Sequence, residues 1–150
     1  MTIPAGSKMA SRWLIFLLVC ASTASCEDRS YREIGAQINT LTKPGGGPPA
    51  EAIAQLARMG RRTLPQIETA LHTASPRGKS NLIMALDAIG DPEAAPIVQH
   101  FAVYDASAEV RTACEELLQR WAAAGDRRAG PARQALTRVS EKRAKGEGPE

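Results

Sequence analysis

The stretch Ile53–Leu71, "IAQLARMGRRTLPQIETAL", is echoed thirty residues later by Ile83–Phe101, "IMALDAIGDPEAAPIVQHF". Ile53 falls on Ile83, Leu56 on Leu86, Met59 on Ile89, Gly60 on Gly90, Ile67 on Ile97 and Leu71 on Phe101. Apolar residues at 53, 56 and 59 followed by a glycine describe a helix that stops. Leu64, Ile67 and Leu71 begin a second one. A period of this length describes a chain of small units, none able to bury its apolar face alone. The turns agree. Gly90 suits the left-handed end of a helix, Asp91 suits the cap of the next, and Pro92 fits its first position, where no amide hydrogen is needed. Thr63 and Gln66 have the spacing of a capping box, and Ser75-Pro76 and Ser107 mark further helix starts.

A third copy is altered. Ile83, Leu86 and Gly90 recur at an offset of 31 as Cys114, Leu117 and Trp121, whereas Gly90-Asp91, Pro96 and Phe101 recur at 35 as Gly125-Asp126, Pro131 and Leu136. The difference is the four residues "WAAA", Trp121–Ala124. Four residues add about one helical turn and nearly keep the facing side, so the first helix of copy three is expected to be one turn longer. Ala129, Ala132, Leu136 and Val139 then make a narrow inward stripe on the last helix. Upstream, Tyr31, Ile34, Ile38 and Leu41 also recur at helical spacing.

"LDAIGDPEAAPIVQHF" (Leu86–Phe101) and "SAEVRTACEELL" (Ser107–Leu118) resemble HEAT repeats, in particular the short bacterial, lyase-type kind. Copy one departs from the pattern with Arg61 where copy two has Asp91, and copy three with Trp121 in place of the glycine. The resemblance implies an all-α fold: a short right-handed α-solenoid of antiparallel helix pairs, about three HEAT-like repeats over residues 49–141. It further implies that partners dock on the row of second helices. Helical geometry places Gln66, Thr69, His72, Gln99, His100, Arg133 and Gln134 on that row as candidate contacts.

Composition fits helices. The hydrophobic share is 43% but the aromatic share only 4%, so the core is built from Ala, Leu and Ile, which suit close-packed helices better than sheets. The net charge of +3 owes two units to Lys8 and Arg12; beyond them 17 basic residues face 16 acidic ones. A near-neutral remainder gives no reason to expect nucleic acid as a partner.

Lys8 and Arg12 precede the apolar run Trp13–Cys20, and small residues follow at Ala21–Ser25, the order of an export signal over residues 1–25. The run is too short for the roughly 20 residues of a spanning helix. Thr23-Ala24-Ser25-Cys26 resembles a bacterial lipobox, with Thr23 where that motif usually has Leu; the resemblance implies lipid attachment at Cys26 and a cell-envelope address. Cleavage after Ala24 by ordinary signal peptidase is the competing reading. Residues 26–48 then read as anchor, short helix and the Gly/Pro break "KPGGGPP" (Lys43–Pro49), and residues 142–150 as a disordered polar tail.

Chemistry is sparse. No metalloprotease, CxxC, phosphate-loop or GxSxG motif is present, and no catalytic residue, metal or cofactor is assigned. His72 and His100 lie 28 apart rather than thirty and lack a companion cysteine, so they read as solvated helix positions rather than ligands. Cys114 aligns with Ile53 and Ile83 and reads as a buried, inert thiol. Some lyase-type relatives attach bilins, but no cysteine–histidine constellation carries that role here. Residues 120–145 hold eight basic side chains against Asp126 and Glu141. They read as a solubilising cap, or as contact with an acidic partner or anionic lipid headgroups. The function expected is a non-catalytic, membrane-tethered adaptor for another envelope protein. The alternatives are an accessory subunit or weak enzyme related to the lyase-type repeats, and a purely structural envelope component.

Overall fold

A computed structural model describes residues 29–43 and 50–149. The export signal, Cys26 and the residues 44–49 of the Gly/Pro break lie outside the described residues. Contacts divide the chain into Met1–Ile34 and Gly35–Glu150. Of the first unit, residues 29–34 are described and are helical, and Tyr31 is exposed.

Residues 29–42 are helical (α1). Six further helices follow: α2 (Ala50–Met59), α3 (Leu64–Thr73), α4 (Pro76–Ile89), α5 (Ala95–Tyr104), α6 (Ala108–Ala123) and α7 (Ala129–Ala144). No strand occurs among the described residues. The first helices of the units form one row, α2 on α4 and α4 on α6; α3 packs on α4, α5 on α6, and α7 on both α5 and α6.

The thirty-residue echo becomes a buried seam. Leu56, Leu86 and Leu117 are each 0% exposed. Ile67, Leu71, Leu82, Val98, Val110 and Leu118 fill the space around them. Burying a leucine side chain is worth about 1.5–3 kcal/mol, and in a core this poor in aromatics such increments carry the stack.

Caps follow the expected chemistry at three starts. Ser75 Oγ accepts from the Gly78 amide at 3.2 Å, and Ser107 Oγ from the Val110 amide at 3.5 Å. Asp91 accepts from the Glu93 amide at 2.9 Å. Thr63 departs from expectation. It is fully buried, and its hydroxyl donates back to the Gly60 carbonyl at 2.8 Å instead of capping forward. Gly60–Thr63 forms a 3-10 turn that runs straight into α3, so the cap position has helical backbone and its side chain makes no cap bond to α3.

Gly90 and Gly125 both adopt positive φ, +62° and +71°, where a side chain would be strained. Shifting this stop from 90 to 125 lengthens α6, though by less than a turn over α4: 16 residues against 14. Three of the four added residues extend α6, while its start falls one residue later than the offset of 31 from Pro76. The fourth, Ala124, lies in the turn, where its amide bonds to the Trp121 carbonyl at 3.3 Å, a tightened three-residue step. Trp121 itself is 1% exposed. Its indole N–H donates to Asp87 Oδ1 on α4 at 2.8 Å, and the Arg128 guanidinium lies 5.8 Å from its ring.

The stripe on α7 is shifted by one residue from that expected. Ala129, Ala132, Ala135 and Val139 are buried, and Leu136 is only half-buried. The three alanines let α7 approach α5 and α6 closely. At its far end α7 runs past Lys142 to Ala144 and closes with paired bonds from the Gly146 amide to the Arg143 carbonyl (3.0 Å) and the Glu147 amide to the Lys142 carbonyl (2.9 Å). That pairing is a Schellman end.

Candidate functional site

The backbones of α5 and α7 pack closely, while those of α3 and α5 do not. The gap leaves a groove of about 570 Å³ along the second-helix row. Pro65 and Pro96, near the starts of α3 and α5, form its two banks with Leu64 and Ile97 beneath, and Glu68 and Glu93 edge it. Glu93 is ion-paired with Arg61. Gln99, His100 and Tyr104 carry the α5 side onward, and Lys142 of α7 closes the end.

An aromatic ladder extends from this end. The His72 ring lies 5.6 Å from that of His100, His100 lies 5.2 Å from Tyr104, and Phe101 touches both histidines at 5.0 and 5.2 Å. Both imidazoles are exposed and Phe101 is buried. Two histidines that look out of register in sequence thus meet.

Beyond Tyr104 the chain end folds onto the groove. Lys142 Nζ donates to Tyr104 Oη at 2.7 Å and to Glu147 Oε2 at 2.6 Å, and Tyr104 Oη donates to the same carboxylate oxygen at 2.8 Å. The bond from Lys142, and then that from Tyr104, holds the Glu147 pKa below its usual value. The bonds to Glu147 and Tyr104 hold the Lys142 ammonium above its own.

Of the seven residues placed on this row from sequence, Gln99 and His100 line the groove and His72 stands in contact with His100. Thr69 is exposed beside Glu68, with its hydroxyl donated to the Pro65 carbonyl at 2.9 Å. Gln66 is half-buried. Arg133 and Gln134 are exposed on α7 but do not line the groove, where Lys142 is the α7 residue present. Sequence reasoning missed Glu68, Tyr104 and Lys142. The signal available was the proline near the start of each second helix, at 65 and 96, which places residues one and two turns later on the same face.

The basic C-terminal stretch is partly neutralised from within. Arg120 pairs with Asp87, Arg128 with Asp126 and Asp87, Arg143 with Glu115, and Lys142 with Glu147. Asp126 accepts side-chain and backbone bonds from Arg128, which lower its pKa, and its bond in turn raises that of Arg128. Arg127, Arg133, Arg138 and Lys145 remain exposed.

Cys114 is the cysteine among the described residues, and it is buried. It is 1% exposed, and burial pushes its thiol up to about 12, with the Asp105 carboxylate adding to the rise and Lys79 opposing it. At neutral pH it is a protonated, inert side chain. Asp105 and Lys79 themselves form an ion pair at 2.5 Å with side chains 1% and 14% exposed. No group of three or more metal-ligating side chains, and no helix long and apolar enough to cross a membrane, occurs among the described residues.

A stack of antiparallel helix pairs with a groove along its second row is the architecture of an α-solenoid. A family model described as HEAT repeats matches residues 48–119, and the all-helical stack is consistent with a HEAT-like solenoid. No curated protein and no solved structure gives a match.

Proposed function

We propose that the protein is a non-catalytic scaffold that docks another protein along the groove between α3 and α5. HEAT repeats commonly mediate protein–protein interaction, and solenoids of this type bind along extended surfaces. The observation that carries the reading is the groove itself: prolines and buried aliphatics make its floor and banks, and Glu68, Gln99, His100 and Tyr104 offer polar contacts at its rim. An apolar floor with a few polar groups at the edge is how docking sites gain both affinity and orientation.

The proposal extends to place. The amino-terminal pattern supports a chain tethered to an envelope membrane through lipid on Cys26, with another envelope protein as partner. The exposed Arg127, Arg133, Arg138 and Lys145 support contact with an acidic partner or with anionic headgroups beside such an anchor.

Crosslinking in the intact envelope followed by mass spectrometry tests both parts, because it reports the neighbour and the modified amino-terminal peptide together. The expected result is an acylated Cys26 peptide and a crosslinked protein partner. Replacing Glu68, Gln99 and His100 together by alanine is expected to abolish capture of that partner with the circular-dichroism spectrum unchanged. Capture unaffected by the triple replacement rules out the groove.

A further inference from the structure

We propose that His72 and His100 form a two-imidazole site for a nitrogen-preferring transition-metal dication, with copper(II) the tightest-bound member of the class. The site shares His100 with the docking groove but does not rest on the docking reading. It rests on a contact absent from the sequence pattern: rings 28 residues apart, on α3 and α5, with centroids separated by 5.6 Å.

The distance suits a shared ion. With metal–nitrogen bonds of about 2.0–2.1 Å, two imidazoles on one ion have centroids about 4.5 Å apart at cis positions of a tetragonal copper(II) and about 5 Å apart on a tetrahedral zinc(II). The rings now meet edge to face at 62°. Both are exposed, so their rings are free to reorient about the side-chain bonds. Phe101, 3% exposed, is a fixed floor under both. No hydrogen bond among the described residues occupies a ring nitrogen of either histidine.

Donor chemistry narrows the ion. Two neutral imidazoles without a thiolate suit copper(II), nickel(II) and zinc(II), and the affinity order along the series puts copper(II) first. No third histidine, cysteine or carboxylate is in place among the described residues, so water fills the remaining positions. Glu68, one turn before His72 on the same helix face, adds negative charge nearby. A bound ion ties α3 to α5, the two second-row helices whose backbones do not pack closely.

The test is titration of the tag-free full chain with copper(II), followed by calorimetry and electron paramagnetic resonance. The expected result is one ion per chain with hyperfine structure from two nitrogens. His72→Phe and His100→Phe keep a ring on the Phe101 floor and remove the ligand atoms. Each is expected to weaken binding by roughly tenfold or more, because the second ligand acts at high effective concentration. Zinc(II) is expected to raise the melting temperature of the parent chain and of neither variant. A parent chain that binds copper(II) no more tightly than the double variant, or whose spectrum shows one nitrogen only, overturns the proposal.

Discussion

Removing the Lys79 ammonium while keeping the Asp105 carboxylate is expected to be among the most damaging single changes available in this protein. Lys79 lies in the first turn of α4, and Asp105 caps α5 ahead of α6. The two meet at 2.5 Å with side chains 14% and 1% exposed. Asp105 Oδ1 also accepts from the Ser107 amide at 2.9 Å, and Arg111 Nη1 donates to the Asp105 carbonyl at 2.7 Å, so one residue organises the whole turn. At an effective dielectric near 20 the gross attraction of such a pair is about 4–5 kcal/mol. Desolvation offsets most of it, so the intact pair adds little net stability. Breaking it strands a buried carboxylate at a cost of about 3–5 kcal/mol. Lys79→Met is therefore expected to lose about 3–5 kcal/mol in urea unfolding followed by circular dichroism. Lys79→Met with Asp105→Asn removes the stranded charge, keeps an acceptor for Ser107 and is expected to recover at least about half of that loss. Additive losses, with the double variant the least stable of the three, would refute the reasoning.

Four further outcomes follow from particular contacts. Leu86→Ala opens a cavity in the seam and is expected to cost about 2–5 kcal/mol by urea unfolding. Ser75→Ala removes the α4 cap and is expected to cost about 0.5–2 kcal/mol by the same measurement. Trp121→Phe loses the bond to Asp87 and leaves a small cavity at a fully buried position; because Asp87 stays in reach of water and of Arg120, the lost bond adds little, and the expected total loss is about 1–3 kcal/mol. The contact of Glu147 with Lys142 and Tyr104 is expected to show two pH limits in the Glu147 and Tyr104 amide shifts. The Glu147 pKa is lowered from 4.5, so its contribution is full above that value and is lost as pH falls through the depressed one. The Lys142 pKa is raised from 10.5, so its contribution is full below that value and is lost only as pH climbs through the raised one. A contact that loosens between pH 5 and 10 contradicts these shifts.

Much of the stack was legible because its signals are local. Leucine spacing and the Gly-Asp-Pro turn at 90–92 depend on neighbours within one unit, so Leu56, Leu86 and Leu117 fall where the echo places them. Features set by how units lean on one another were not legible. The histidines meet at an offset of 28 through side chains alone, across helices whose backbones do not pack closely. Ala135 replaces Leu136 in the stripe because α7 approaches two helices at once. Thr63 turns inward because the 3-10 turn leaves it nothing to cap. The bonds of Lys142 and Glu147 arise in a polar stretch without apolar periodicity, which is where pattern reading has nothing to hold.

The most direct test of the seam is thiol labelling in urea of Leu56→Cys, Leu86→Cys and Leu117→Cys, each in a full chain with alanine at positions 20, 26 and 114. All three are expected to stay unreactive in the native state and to become reactive together, at the midpoint of global unfolding, while Met84→Cys on the exposed face of α4 reacts at once. A seam thiol that reacts at the free rate without denaturant would contradict this.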